Sequence, residues 1–161
     1  MTDRSGIICA GNWIVDLIHE LDRWPNESEL VRIGTQARGV GGGPANVITA
    51  LAKLETGLPL YPMGAIGEDE YGAFILKECR HLGLPTSGLI SKTDVATAHT
   101  HVMSVAGQSR TFFYQGGAND TLNINDFPEG TFKDTSARIF YLGYLTLLRD
   151  LDQILDDNST N

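Results

Sequence analysis

A glycine-rich turn in the first third of the chain is the segment best suited to hold a ligand. The run Gly41-Gly42-Gly43-Pro44-Ala45-Asn46 comes directly before an apolar pattern of helical period. Glycine lets the backbone approach a ligand closely, and the first N–H groups of a helix have no partner within the helix. The turn therefore predicts a site where a ligand meets the start of a helix.

Three other interpretations of this turn can be compared with the sequence. A dinucleotide-binding fingerprint requires a glycine where Pro44 stands, and it should follow the first strand directly. A phosphate-binding Walker loop requires a following Gly-Lys-Ser or Gly-Lys-Thr, which is absent from the sequence. A flexible loop before a helix is also compatible with the composition, so this interpretation stays open beside the favoured ligand-binding turn.

Two histidines are the other residues whose type suggests chemistry. His99 and His101 lie in a segment with strand alternation, which places them on one face and Ala98, Thr100 and Val102 on the other. Two imidazoles without a third ligand fall short of the usual protein zinc site. We therefore predict no metal site from this pair.

The elements that position these residues predict an α/β fold with a parallel sheet. Strands are expected at 7–10, 58–65 and 139–142, and helices from Pro44 to Leu54, from Glu68 to Leu82 and over 146–156. Two ribbons of alternating residues, at about 17–38 and 98–115, interrupt this order. We expect them to leave the main sheet and form a small second one.

The composition is that of an ordinary globular domain. The 161 residues suffice for one domain, and 42% of them are apolar. The net charge of -8, without a basic stripe, argues against a nucleic-acid partner. No apolar run has the length of a membrane span or of a signal-peptide core. Cys9 and Cys79 lie in apolar runs and are expected to be free buried thiols, so we predict a cytoplasmic protein without a membrane partner.

Five segments in order resemble the PfkB family of ribokinase-like carbohydrate kinases, and the similarity runs from about Ile7 to Leu148. The glycine-rich turn is similar to that family's first signature. The other four segments are Asp16 with Leu21-Asp22-Arg23-Trp24-Pro25, then Gly64-Ala65-Ile66-Gly67-Glu68-Asp69-Glu70-Tyr71-Gly72, then Thr97 with Arg110-Thr111-Phe112, and finally Gly117-Ala118-Asn119. The resemblance implies a Rossmann-type parallel sheet with helices on both faces and a small β-sheet lid. Residues 1–161 would be the N-terminal portion of that fold, with its C-terminal part absent.

The resemblance also implies a function, the transfer of a phosphoryl group from ATP to a hydroxyl of a sugar or sugar acid. Asp16 would accept hydrogen bonds from substrate hydroxyls, since a carboxylate is an acceptor only. Without the resemblance, Asp16 is equally well a loop or capping acid, and Asn46 a local helix cap. The residues implied to bind the substrate are Asp16, Gly42, Gly43, Asn46, Asn12, Thr100, Val102 and Tyr114.

The same family places its catalytic aspartate in a late glycine-x-glycine-aspartate turn, which these 161 residues do not contain. The strands that bind ATP in the family also lack a counterpart here. The resemblance therefore implies ATP and Mg as cofactors, with most of their binding residues absent. We expect no catalytic base, and no phosphorylation by this chain alone.

Three positions differ from the pattern of ribose-specific members, and they affect the expected substrate. Gly43 replaces a lysine, Gly143 an acid and Ile14 an asparagine. These differences argue against ribose itself and favour another sugar or a sugar acid over a nucleoside. A non-catalytic sugar-binding or lid-mediated assembly module is the alternative function. Exposed edges of the lid strands predict a homodimer joined through the lids.

Overall fold

The computed structural model describes residues 4–127 and 129–153, which form two four-stranded sheets. The strands are β1 (Gly6–Gly11), β2 (Ile14–Leu21), β3 (Ile33–Gly41), β4 (Leu60–Gly67), β5 (Leu89–Lys92), β6 (His99–Val105), β7 (Thr111–Gln115) and β8 (Ala137–Gly143). The helices are α1 (Gly43–Lys53), α2 (Glu70–His81) and the short α3 (Glu129–Lys133). Single 3-10 segments cover Gly117–Thr121, Ile124–Asp126 and Leu145–Leu147.

The main sheet is parallel throughout, in the order β5-β4-β1-β8. The two central strands, β1 and β4, are largely apolar, as expected where both faces of a sheet are covered, whereas the edge strand β8 is partly exposed. Helices α1 and α2 pack on one face through a core that includes Cys9, Ile48, Ile66 and Ile75. The 3-10 segments supply most of the cover on the other face, where Ala118, Leu122 and Leu148 pack on Ala65. The parallel α/β sheet predicted from the sequence is confirmed.

The second sheet is the small one expected from the two ribbons, and we call it the lid. Its order is β3-β2-β6-β7, with β2 parallel to β6 and the other two pairs antiparallel. The first ribbon is longer than predicted, since its strands span Ile14–Leu21 and Ile33–Gly41 rather than lying within 17–38. Strand β2 follows β1 after only Asn12 and Trp13, so the lid leaves the main sheet at the carboxyl ends of its strands. Open α/β sheets bind their ligands at that edge.

The lid is fastened to the main sheet through Asp69 and Thr97. Asp69 precedes α2 and accepts hydrogen bonds from the Gly72 N–H (2.8 Å), the Thr97 N–H (2.7 Å) and the Thr97 hydroxyl (2.6 Å). The Thr97 hydroxyl oxygen in turn accepts from the Gly67 N–H at 2.8 Å. Burial disfavours the charged form of Asp69, but these hydrogen bonds outweigh it and lower the pKa of the carboxyl. The start of the second ribbon is thus tied to the end of β4.

The helix expected over 146–156 is wrong where the structure describes that segment. Leu145–Leu147 is a 3-10 turn, and further turns follow it up to residue 152, while 154–156 lie outside the described residues. Tyr144 has a left-handed backbone (φ 53°), which breaks the regular path at the end of β8. Leu148 then turns inward and is fully buried. The four-residue strand β5 (Leu89–Lys92) was not predicted from the sequence.

Among the described residues, no helix has the length and apolar character needed to cross a membrane.

Candidate functional site

The glycine-rich turn joins β3 to α1 and packs closely against the connection between β1 and β2. Gly42 has φ 96°, and a Cβ added to it would collide with the carbonyl oxygen of Asn12. The side-chain Oδ1 of Asn12 accepts a hydrogen bond from the Gly43 N–H at 3.2 Å. A Cβ on Gly43 would lie 2.8 Å from the ring of Tyr144. These contacts give the turn a defined path and explain why glycines occupy it.

Asp16 lies on the lid strand β2, directly beside this turn. A Cβ added to Gly41 would meet the Asp16 carboxylate, so the acid side chain covers the first glycine of the turn. Asp16 is opposite Thr100 on β6, and Thr100 is opposite Tyr114 on β7. Residues that face each other across a sheet project to the same side. Asp16, Thr100 and Tyr114 therefore form one row across the lid, which we call the lid row.

Burial and charge act on Asp16 in opposite directions. Burial, the larger effect, raises the pKa of the Asp16 carboxyl because the charged form loses water, while the positive charge of Arg110 lowers it. The net effect is a raised pKa. Such a half-buried carboxylate gains from hydrogen bonds with a ligand, since these replace the water that it has lost.

Val102 and Tyr114 differ in how much ligand-accessible surface they offer. Val102 lies two residues beyond Thr100, on the same face of the lid, and it is 2% exposed. Tyr114 is 37% exposed, and burial raises the pKa of its phenol. The Tyr114 hydroxyl can donate or accept a hydrogen bond, whereas the Val102 side chain can only pack.

Asn119 is a residue of the site region that received no role in the sequence analysis. It is fully buried, its Oδ1 accepts from the Trp13 N–H, and its Nδ2 donates to the Trp13 carbonyl, both at 3.2 Å. Nδ2 also lies 3.4 Å from the Tyr114 hydroxyl. Asn119 thus connects the end of the second ribbon to the connection between β1 and β2. The only sequence signal for Asn119 was the Gly117-Ala118-Asn119 motif, which indicated the segment but not its contact with Trp13.

The predicted residues on α1 and at the end of β1 lie on the other side of the glycine turn. Asn46 lines a cavity of about 330 Å³ together with Gly43, Val47, Tyr141 and Tyr144. Asn12 is 1% exposed, and its Nδ2 has no hydrogen-bond partner in the part of the chain that the structure describes. Within the same described residues, no hydrogen bond joins Asn46 to Asp16. The predicted site is therefore in two parts, the lid row and the Asn46 cavity, which meet at the glycine turn.

The residues present do not fit the magnesium that the resemblance implies. Within the described ranges, no group of three or more histidine, cysteine, aspartate or glutamate side chains is arranged to hold a metal ion.

The histidines of the lid lie on the face opposite the lid row, where they pack on one another. His19 Nε2 lies 3.1 Å from His101 Nδ1, and the two rings are stacked. Burial, with smaller effects from His19 and His99, lowers the pKa of His101.

Comparison with known sequences identifies the family of the chain. The sequence profile described as "pfkB family carbohydrate kinase" matches residues 4–151, which is nearly the whole chain. The chain belongs to the pfkB family of carbohydrate kinases. The resemblance stated from the glycine turn and its companion segments is confirmed.

Relatives within the pfkB family include kinases for different substrates. A 5-dehydro-2-deoxygluconokinase of Listeria innocua is 33% identical over 135 residues, covering 82% of this chain and 40% of its own length. A ribokinase of Bacillus subtilis is 30% identical over 115 residues, covering 70% of this chain and 38% of its own length. The chain thus spans about 40% of the length of the curated relatives that it matches.

Solved structures of the same family share the fold. A ribokinase of Giardia lamblia superposes with a TM-score of 0.73 at 22% identity, over 86% of this chain and 41% of its own. The ribokinase of Arabidopsis thaliana, solved with ribose and ATP, gives a TM-score of 0.71 at 26% identity over 86% of this chain and 45% of its own. The ribokinase-like arrangement of parallel sheet and lid is therefore confirmed.

Proposed function

We propose that the chain forms the sugar-binding half of an ATP-dependent sugar kinase, which phosphorylates a hydroxyl of a sugar or sugar acid. The observation that carries this proposal is the position of Asp16, half-buried on the lid row and directly over the glycine turn. An acceptor fixed beside a glycine-lined helix start is suited to hold a polyhydroxylated ligand close to the backbone. Family membership and the names of the kinases that the chain resembles support the same reaction class.

The proposed roles follow from the donors and acceptors of each residue. Asp16 accepts hydrogen bonds from two substrate hydroxyls, and the Tyr114 hydroxyl and Thr100 extend this contact along the lid row. Asn12 directs its Nδ2, which has no hydrogen-bond partner among the described residues, to a ligand oxygen, and this contact would satisfy a buried donor. Gly42 and Gly43 admit the ligand to the backbone, Asn46 contacts the ligand's far end, and Val102 packs beside the lid row on the same face. Together they fix the orientation of the hydroxyl that receives the phosphoryl group.

We further propose that the 161 residues bind the sugar without phosphorylating it. The sequence has no glycine-x-glycine-aspartate turn to supply a base, and the described residues offer no magnesium site. Detectable turnover of any sugar with Mg-ATP by the purified chain would contradict this part of the proposal.

A cytoplasmic location stays a prediction, supported by the two free, buried thiols.

A lid-mediated assembly module is the second candidate function, and one surface favours it. The tip of the lid carries an apolar groove, lined by Leu21, Trp24, Pro25, Val31, Ile33, Met103 and Phe113. Trp24, Ile33 and Phe113 are each at least 40% exposed. We propose that two lids pair through this groove in a homodimer, which light scattering would detect as twice the chain mass. Dimerisation without sugar binding would favour this candidate over the kinase half.

The decisive experiment compares sugar binding by the Asp16→Asn and Asp22→Asn variants. Asp22 is an exposed acid just after β2, so its replacement keeps the net charge of the two variants equal. Calorimetric titration with a panel of sugars and sugar acids should show that Asp16→Asn weakens binding by about 1.5–3 kcal/mol, the scale of a hydrogen bond to a charged group. Asp22→Asn should bind like the unmodified chain. Equal affinity of both variants would contradict the proposed site.

A further inference from the structure

Arg110 is a cation beside the lid row for which the proposed site has no role so far. It comes immediately before β7, so Arg110, Phe112 and Tyr114 alternate toward the same side of that strand. Phe112 is opposite Val102, which shares its face with Thr100 and Asp16. The guanidinium carbon of Arg110 lies 5.5 Å from the centre of the Phe112 ring, within the range of a cation–π contact. This contact keeps the guanidinium on the lid-row face.

Arg110 acts on the Asp16 carboxyl without forming an ion pair with it. The charge of Arg110 acts on the Asp16 carboxyl and partly offsets the effect of burial on its pKa. None of the ion pairs among the described residues joins the two side chains. The lid-row face therefore has an acceptor at its inner end, over Gly41, and a separate cation toward its outer end. A ligand with hydroxyls at one end and a negative charge at the other matches this order.

We propose that Arg110 is a specificity-determining residue that selects a sugar acid, by binding the substrate carboxylate while Asp16 binds the hydroxyls. This inference rests on the proposed sugar site and adds the chemical class of its substrate. A guanidinium presents a planar pair of N–H donors that matches the two oxygens of a carboxylate. The single cation also balances a single negative charge, whereas a phosphate dianion calls for more than one.

The test uses two open-chain ligands that differ only at C1, D-gluconate and the neutral polyol D-glucitol. Calorimetric titration of the unmodified chain should show D-gluconate binding at least about tenfold more tightly, the effect of one charged hydrogen bond. The Arg110→Gln variant should lose this preference while its affinity for D-glucitol stays the same. Arg110→Lys should keep part of the preference, because lysine retains the positive charge but lacks the planar pair of N–H donors. Arg32→Gln, at another exposed arginine of the lid segment, is the control and should behave like the unmodified chain.

Several outcomes would overturn the inference, and they separate it from the proposed function. Equal binding of the two ligands by the unmodified chain, or a preference that persists in Arg110→Gln, contradicts the sugar-acid role and leaves the sugar site standing. Equal weakening of both ligands in Arg110→Gln would show that Arg110 acts only through Asp16. A preference for D-glucitol 6-phosphate over D-gluconate would assign the cation to a phosphate. Failure of both ligands and of the whole sugar panel to bind contradicts the sugar site and this inference together.

Discussion

At the scale of single residues, the ionisation of Asp16 sets the pH range in which the proposed site binds. Burial raises the pKa of its carboxyl, so protonation begins at a higher pH than for an ordinary aspartate, whose pKa is about 3.9. A raised native pKa means that Asp16 contributes stability below its ordinary pKa and loses that contribution as pH rises through the native pKa. Binding has the opposite direction, because the acceptor role requires the charged form.

We therefore expect sugar affinity to fall as the pH is lowered, with a midpoint above about 3.9. Affinity measured by calorimetry between neutral pH and the acid limit of folding would show this, with Asp16→Asn as the reference. That variant should bind weakly at every pH, because an amide does not titrate. A wild-type midpoint at or below the ordinary aspartate value would mean that burial does not govern this carboxyl.

The predicted residues of the candidate site came from local motifs and from the family resemblance. The glycine turn was predicted because it precedes a recognisable helix pattern, and Asp16 was predicted by its position in the resemblance. Asn119 could not be found in this way. Its two hydrogen bonds reach Trp13, 106 positions away, and only the folded chain brings these residues together. The position of Arg110 likewise depends on the pairing of β7 with β6, which sequence alternation indicates only as a ribbon.

At the scale of elements, the start of α1 depends on a backbone that only glycine adopts without strain. Gly42 has φ 96° and lies against the Asn12 carbonyl, whereas Gly83, after α2, has φ 69° and open space around its α-carbon. Both positions resist a side chain because of their backbone, but only Gly42 adds a collision. The turn between β3 and α1 is therefore the more constrained of the two.

The matched variants Gly42→Ala and Gly83→Ala test this constraint. Gly83→Ala should cost about 1 kcal/mol, and Gly42→Ala about 1–3 kcal/mol more, because the Asn12 carbonyl must also move. For a domain of this size each kcal/mol lowers Tm by roughly 2–4 °C, which thermal unfolding followed by circular dichroism resolves. Equal losses in the two variants would show that the packing of Gly42 on Asn12 places no additional demand on the turn.

The elements predicted well are those with a strong periodic signal. The strands β1, β4 and β8 are apolar runs, and the ribbons alternate, so the sequence indicated each of them. Strand β5 has four residues, with only Leu89 and Ile90 apolar, which is too little pattern to separate it from a loop. The helix expected over 146–156 had leucines at helical spacing. Tertiary packing of Leu148 and the left-handed Tyr144 produced a 3-10 turn instead.

At the scale of the whole molecule, two sheets meet where the chain passes repeatedly between them. The connections at Asn12–Trp13, at Thr97 and at Gly117–Asn119 all lie at this junction, and they are joined by the hydrogen bonds of Asp69 and Asn119. The lid row, the glycine turn and the Asn46 cavity surround the same junction. We therefore expect one sugar to contact all three, although Asn46 and Asp16 share no hydrogen bond within the described residues.

The measurement that tests this most directly is a nuclear magnetic resonance titration of the isotope-labelled chain with the tightest-binding sugar or sugar acid of the panel. We expect shifts in the backbone amide signals of Asn12, Asp16, Gly42, Gly43 and Asn46, and all of these shifts should follow the same saturation curve with ligand concentration. Tyr61 and Asp134 line a separate, far cavity near the amino ends of β4 and β8, and signals around them should stay in place. Shifts confined to that far cavity, or separate curves for the lid row and for Asn46, would contradict a single sugar site at the junction of lid and sheet.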